Sequence, residues 1–153
     1  QIGAKNMQNF SLLKEVGKTN KPVLLKRGFC NTLDELLLSA EYITDAGNER
    51  VVLCERGIRT FESANRVSLD LGGALRLKEL TRFPVIIDPS HASGRAELVE
   101  PLSLASAAIG ADGVEVETHC KPQDALCDGA QAIQPETFAE IVKKSEKIRR
   151  IVK

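Results

Sequence analysis

A few short stretches of this 153-residue chain carry side chains that bind ions. Lys26-Arg27, Arg56, Arg59 and Lys5 supply positive charge. Arginine grips phosphate or carboxylate through a bidentate fork, whereas lysine acts as a point charge, so together they suit a pocket for anions. His91, Glu117 and Asp128 offer an imidazole nitrogen and two carboxylates. That donor set suits a divalent ion of borderline hardness such as Mn²⁺, Fe²⁺ or Zn²⁺. Composition leaves plainer alternatives open: solvated surface charges, and a hydrogen-bonded histidine with surface acids. His119 with Cys120 and Cys127 imitates a zinc site, but the spacing is loose and free cysteine is commonly a small buried hydrophobe.

The elements that position these residues are legible as a repeat of strand, loop and helix. Val23–Lys26, Val51–Cys54, Val85–Asp88 and Gly113–Thr118 are short runs rich in Val, Ile or Leu. They fit buried strands. Ile2-Gly3-Ala4 reads as the tail of an earlier strand, so the chain is expected to open inside an element. Helical spacing follows Thr32, with Leu33, Leu36, Leu37, Ala40 and Ile43 on one stripe and Glu35 completing a capping box. Further helices are expected over Leu69–Leu80, Leu98–Ile109 and Glu136–Lys153. Strands about 30 residues apart fit βα units, which lay parallel strands side by side. A doubly wound sheet or half of an eight-fold (β/α) barrel would hold them.

Position then gives the ionisable residues their meaning. Lys26-Arg27, Glu55-Arg56, Asp88-Pro89-Ser90-His91 and Glu115 to His119 each fall where a strand ends. In parallel α/β folds the C-terminal strand ends and the loops after them build the active site. Alternation along the fourth strand puts Glu115, Glu117 and His119 on one face and Val114 and Val116 on the other. A carboxylate on an interior face is costly unless it meets a cation.

Composition excludes several functions. Lys+Arg and Asp+Glu both number 21, so no bulk basic surface serves nucleic acid or anionic lipid. Five Phe, one Tyr and no Trp provide little for stacking on bases. No apolar run approaches a membrane span, and no signal-peptide pattern is present. No GxGxxG or GxxxxGK[ST] string follows a strand. Four cysteines without a tight pair suggest a reducing, cytoplasmic setting.

The strings themselves resemble a known family. Gln1-Ile2-Gly3-Ala4-Lys5-Asn6, Lys21 to Gly28 (KPVLLKRG), Leu53-Cys54-Glu55-Arg56-Gly57, Asp88-Pro89-Ser90-His91 and Ala125 to Gly129 (ALCDG) resemble 3-deoxy-D-arabino-heptulosonate 7-phosphate (DAHP) synthase. The likeness is to the branch related to 3-deoxy-D-manno-octulosonate 8-phosphate (KDO8P) synthase, and it runs along the whole chain in order. It implies an α/β fold, residues 1–153 forming the C-terminal part of a (β/α)₈ TIM barrel from the end of strand 4 through helix 8. The N-terminal half of the barrel would then lie outside this chain, and an isolated segment would be inactive.

The resemblance also implies an activity: condensation of phosphoenolpyruvate with erythrose 4-phosphate to give DAHP and phosphate, at the start of the shikimate pathway. Lys26 resembles the lysine that contacts phosphoenolpyruvate, and Arg56 the arginine that holds its phosphate. Lys5, Arg27 and Arg59 join them as expected substrate-binding residues, and Lys26 as a proton donor. His91, Glu117 and Asp128 resemble three of the four ligands of a divalent metal; the fourth, a strand-1 cysteine, is not in this chain. The alternatives are KDO8P synthase, which takes arabinose 5-phosphate, and a non-catalytic half-barrel that binds a sugar phosphate or a partner chain. Three positions depart from the pattern: Lys5 where Arg is usual, Cys120 where Pro is usual, and Cys127 where Ser is usual. Half a barrel leaves sheet edges open, so a homo-oligomer or a longer chain is expected.

Overall fold

The computed structural model describes residues 1–152. Four parallel strands lie in chain order, β1 (Val23–Lys26), β2 (Val51–Glu55), β3 (Val85–Ile87) and β4 (Gly113–Val114). The register sets Lys26 beside Cys54, Glu55 beside Ile87, and Ile87 beside Val114. Ile2 adds a parallel bridge to Leu25 on the outer side of β1, as the apolar opening of the chain leads one to expect.

Helices alternate with the strands: α1 (Phe10–Gly17), α2 (Leu33–Asp45), α3 (Leu71–Leu80), α4 (Pro89–Ser93), α5 (Ala96–Ala108) and α6 (Pro135–Val152). Thr32 and Glu35 cap α2 reciprocally, as their spacing predicts. Helix α3 begins two residues later than expected, because the Asp70 carboxylate accepts the Gly73 amide and so fixes the first turn. Helix α1 is not expected from the sequence; Asn9 caps it, and Leu13 is its buried anchor. The last residue of the expected C-terminal helix, Lys153, lies outside the described residues.

Strand periodicity explains the core. Val23, Leu25, Val51, Leu53, Val85 and Ile87 are buried on the helix side of the sheet, against Leu13, Leu36, Ile43 and Leu77. Each such side chain contributes about 1.5–3 kcal/mol. Their neighbours Leu24, Val52 and Ile86 face the other way and are only half-buried. A second, smaller cluster of Val99, Ile133 and Ile141 joins α5 to α6.

Two strands are shorter than expected. The fourth leaves the sheet soon after Val114: the Glu115 amide makes a last bond to the Ile87 carbonyl, and from Glu117 on the chain finds other partners. The Glu117 amide donates to the Ser90 hydroxyl, the Glu117 carbonyl accepts from Ile133, and Thr118 bridges to Ile133. Asp88 ends β3 by capping α4 through its side chain, which accepts the His91 amide at 2.9 Å. Both departures occur where the chain turns toward the strand-end rim.

Candidate active site

A cleft of about 320 Å³ opens at the C-terminal strand ends, lined by Lys5, Lys26, Phe29, Arg56, Arg66, His91 and Asp128 among others. Strand β1 delivers Lys26 as its last residue, and Arg56 directly follows β2. A hollow of about 610 Å³ at the opposite strand ends is lined by Pro22, Arg50, Val52, Phe83 and Pro84. Its Arg50 donates to a backbone carbonyl, and neither donor cluster found among the described residues lies there. The chemistry therefore belongs to the C-terminal rim.

The anion side centres on Arg56, which is buried and stacked on Phe29, its guanidinium carbon 4.5 Å from the ring centroid. One terminal nitrogen reaches the His91 carbonyl at 3.4 Å, and the other, Nη1, is buried without a hydrogen-bond partner. Burial pulls the guanidinium below its ordinary pKa, with Asp88 opposing and the nearby Arg66 adding to the shift. An unsatisfied buried donor beside a like charge is the signature of a site that gains from an anion. Lys5 is exposed at the cleft's edge.

Lys26 is buried between two carboxylates, its Nζ 2.6 Å from Asp88 and 2.9 Å from Glu115. Burial alone would lower its pKa, but the bonds to Asp88 and Glu115 outweigh burial and hold it above the ordinary lysine value. It is therefore an ammonium at neutral pH, a donor and not a base.

On the cation side, His91, Glu117 and Asp128 bring one potential ligand atom each within 4.8 Å of one another. His91 Nδ1 lies 2.7 Å from Asp88 Oδ2. That bond places the ring proton on Nδ1 and turns the Nε2 lone pair toward Glu117 (3.5 Å) and Asp128 (3.8 Å). Asp128 adopts a left-handed backbone (φ 54°) and accepts 2.6 Å from buried Gln131. The donor set fits a divalent ion of borderline hardness. Cys54, Asp88 and Glu115 form a second such group, but the Lys26 ammonium already binds both of its carboxylates. Burial also pushes the Cys54 thiol well up, so it is no thiolate ligand. His119, Cys120 and Cys127 belong to neither group.

The structure brings Lys5, Lys26, Arg56, His91 and Asp128 to one cleft, with Glu117 at its metal side. It does not bring Arg27 there. The Arg27 guanidinium is buried against Glu55 and Asp70, each at 2.9 Å, and donates to the Asn31 carbonyl. It ties the loops after β1 and β2 together in place of the expected anion contact. Arg59 is exposed beside Phe29, outside the cleft lining. Sequence reasoning placed Asp88 and Glu115 at strand ends but gave neither a task in the site, and it missed Arg66 and Gln131, which nothing local marks.

Fold and site together define a class: parallel α/β proteins that gather anion-binding and cation-binding groups on the C-terminal rim. The chain belongs to the DAHP synthetase I family, which it matches over residues 1–151. It is 53% identical over 148 residues to a phospho-2-dehydro-3-deoxyheptonate aldolase of Thermotoga maritima, covering 97% of this chain and 44% of that protein. A 2-dehydro-3-deoxyphosphooctonate aldolase of Geobacter sulfurreducens is 35% identical over 164 residues, covering 100% of this chain and 59% of that protein. Among solved structures, a truncated form of DAHP synthase from Thermotoga maritima superposes with a TM-score of 0.96 at 51% identity, over 99% of this chain and 58% of that chain. The chain spans about half the length of the relatives it matches. These likenesses bear out the parallel α/β, partial-barrel fold expected from the sequence.

Proposed function

We propose that this chain is the phosphoenolpyruvate- and metal-binding half of a DAHP synthase, within a longer protein that supplies the rest of a (β/α)₈ barrel. The observation that carries this reading is the orphaned, buried Arg56 Nη1 in a cleft that also holds Lys26, Arg66 and His91. Carbon 3 of phosphoenolpyruvate attacks the aldehyde carbon of erythrose 4-phosphate. Water adds at carbon 2, and the bond from carbon 2 to the phosphate oxygen then breaks, releasing phosphate.

Each residue has a task in that sequence. Arg56 donates its free nitrogen to the phosphate of phosphoenolpyruvate, with Arg66 and Lys5 adding charge from the cleft's walls. Lys26, kept protonated by Asp88 and Glu115, donates to the aldehyde oxygen as the new bond forms. His91 Nε2, Glu117 and Asp128 are the groups that would hold the metal. When bound, a Mn²⁺, Fe²⁺ or Zn²⁺ ion would supply Lewis acidity toward that oxygen. A cytoplasmic, homo-oligomeric enzyme is part of this reading; free cysteines among the described residues support its setting, and half-buried Leu24, Val52 and Ile86 support the rest of the barrel closing over the sheet.

The test is an assay of the full-length protein with phosphoenolpyruvate and either erythrose 4-phosphate or arabinose 5-phosphate. Phosphate release and DAHP formation are expected with the first sugar. Turnover favouring arabinose 5-phosphate would transfer the protein to the KDO8P reaction. Turnover with neither sugar would overturn the synthase reading.

A further inference from the structure

Asp88 sits at the junction of the two halves of the cleft. It is fully buried, and every polar contact of its carboxylate is with a group already placed in the site or with the backbone beside it. Oδ1 accepts the His91 amide at 2.9 Å. Oδ2 meets both the Lys26 ammonium at 2.6 Å and His91 Nδ1 at 2.7 Å. One oxygen atom thus fixes the cation on the anion side and the imidazole on the metal side.

We propose that Asp88 is a positioning residue that sets Lys26 and His91 together, so that phosphoenolpyruvate affinity and metal affinity depend on one buried carboxylate. The proposal deepens the synthase reading and rests on it. Toward His91, Asp88 fixes the tautomer with the proton on Nδ1, which leaves Nε2 as the only ring atom able to bind a metal. Toward Lys26, it anchors the ammonium at the floor of the cleft, with Glu115 as second anchor. Charge-assisted bonds of this length are the strong ones, and burial shields them from water.

The atoms of an amide show why a carboxylate is needed. Asparagine at this position has one oxygen and one NH₂ group. With its oxygen toward the His91 backbone amide, the NH₂ faces an ammonium and an N–H, a donor against donors. The ring proton must then move to Nε2, where it blocks the metal. With the amide flipped, the ring and the ammonium are served, but the NH₂ faces the His91 amide and the cap of α4 is lost. Only a carboxylate satisfies all three contacts.

The experiment measures Mn²⁺ binding by electron paramagnetic resonance of the free ion and phosphoenolpyruvate binding by calorimetry, in the full-length protein. Asp88→Asn is compared with Gln131→Leu and Arg56→Lys. Asp88→Asn is expected to weaken Mn²⁺ binding about 10- to 100-fold, the usual effect of removing an outer partner of a ligating histidine. It should also weaken phosphoenolpyruvate binding about tenfold, the effect of losing a hydrogen bond to a charged group. Gln131→Leu should weaken only the metal, and Arg56→Lys only phosphoenolpyruvate. In the metal-free protein, ¹⁵N shifts of His91 should change from the Nδ1–H to the Nε2–H tautomer, a direct report that the Asp88 bond to Nδ1 is gone, and the Gln131→Leu and Arg56→Lys variants should leave that tautomer unchanged. Asp88→Ser keeps the helix cap but cannot reach the ring or the ammonium, so it repeats the test if the Asn variant does not fold. Mn²⁺ affinity within twofold of the parent in folded Asp88→Ser, or in an Asp88→Asn variant whose His91 carries the Nε2–H tautomer, would overturn the proposal while leaving the synthase reading intact; if Asp88→Asn keeps the Nδ1–H tautomer its amide is flipped, and Asp88→Ser decides. A parent protein that binds no Mn²⁺ would overturn both.

Discussion

Arg56 is the residue on which the anion side turns, because it is buried, stacked on Phe29, and left with an unpaired nitrogen. Arg56→Ala in the full-length protein should raise KM for phosphoenolpyruvate and lower turnover. A lost charge-assisted contact costs about 2–4 kcal/mol, or roughly 30- to 1000-fold in kcat/KM. Steady-state kinetics within twofold of the parent would remove Arg56 from the site. The placement of Arg56 and Lys26 at the cleft was legible because an ionisable residue at the end of a buried apolar run has few places to point. Arg27 shows the limit of that reasoning. It also follows the run, but successive side chains alternate, and its guanidinium meets Glu55 and Asp70. Those partners lie 28 and 43 residues on, and local sequence does not show which carboxylate a buried arginine will find.

At the scale of elements, the turn after β2 decides where Arg56 points. Gly57 has φ +88°, and a Cβ there would lie 2.4 Å from Val67 Cγ2 and 3.2 Å from Ala92 Cβ. Its amide donates to Glu55 Oε1 at 2.6 Å, which pins the turn to the buried Arg27–Glu55 pair. Gly57→Ala therefore combines backbone strain with a clash, an effect of about 1–3 kcal/mol. A lower melting temperature and a raised KM for phosphoenolpyruvate are expected together. Gly110 (φ +76°) has open space around its would-be Cβ, so Gly110→Ala should show strain alone, with KM unchanged. Equal KM shifts in both variants would mean that the Gly57 turn does not position Arg56. Most elements could be read from apolar period and capping residues, as in α2. Helix α4 and the early end of β4 could not, because both depend on contacts remote in sequence or on a short cap: Asp88 with His91, Ser90 with Glu117, and Ile133 with Glu117.

At the scale of the molecule, the candidate metal site reports whether distant parts of the chain have come together. His91 comes from α4 just after β3, Glu117 from the chain beyond β4, and Asp128 from a loop that folds back over the rim. The sequence supplied these residue types but not their convergence, which requires β3 and β4 to be neighbours and Ser90 to hold the Glu117 backbone. An unfolded chain does not preserve that constellation, so an ion held there would bind the folded form preferentially, and binding would become stability. At a free ion concentration 100 times Kd the gain is about 2.7 kcal/mol. For a barrel about twice the length of this chain that corresponds to a rise of roughly 3–5 °C in Tm. Differential scanning calorimetry of the full-length protein, with and without Mn²⁺, should show this rise, and His91→Ala should abolish it. Because Lys5, Arg56 and Arg66 are not ligands, Arg56→Lys should keep the rise while losing affinity for phosphoenolpyruvate. A Tm that ignores Mn²⁺, or a rise that survives His91→Ala, would show that the ion is held elsewhere, and the cleft would keep only its anion side.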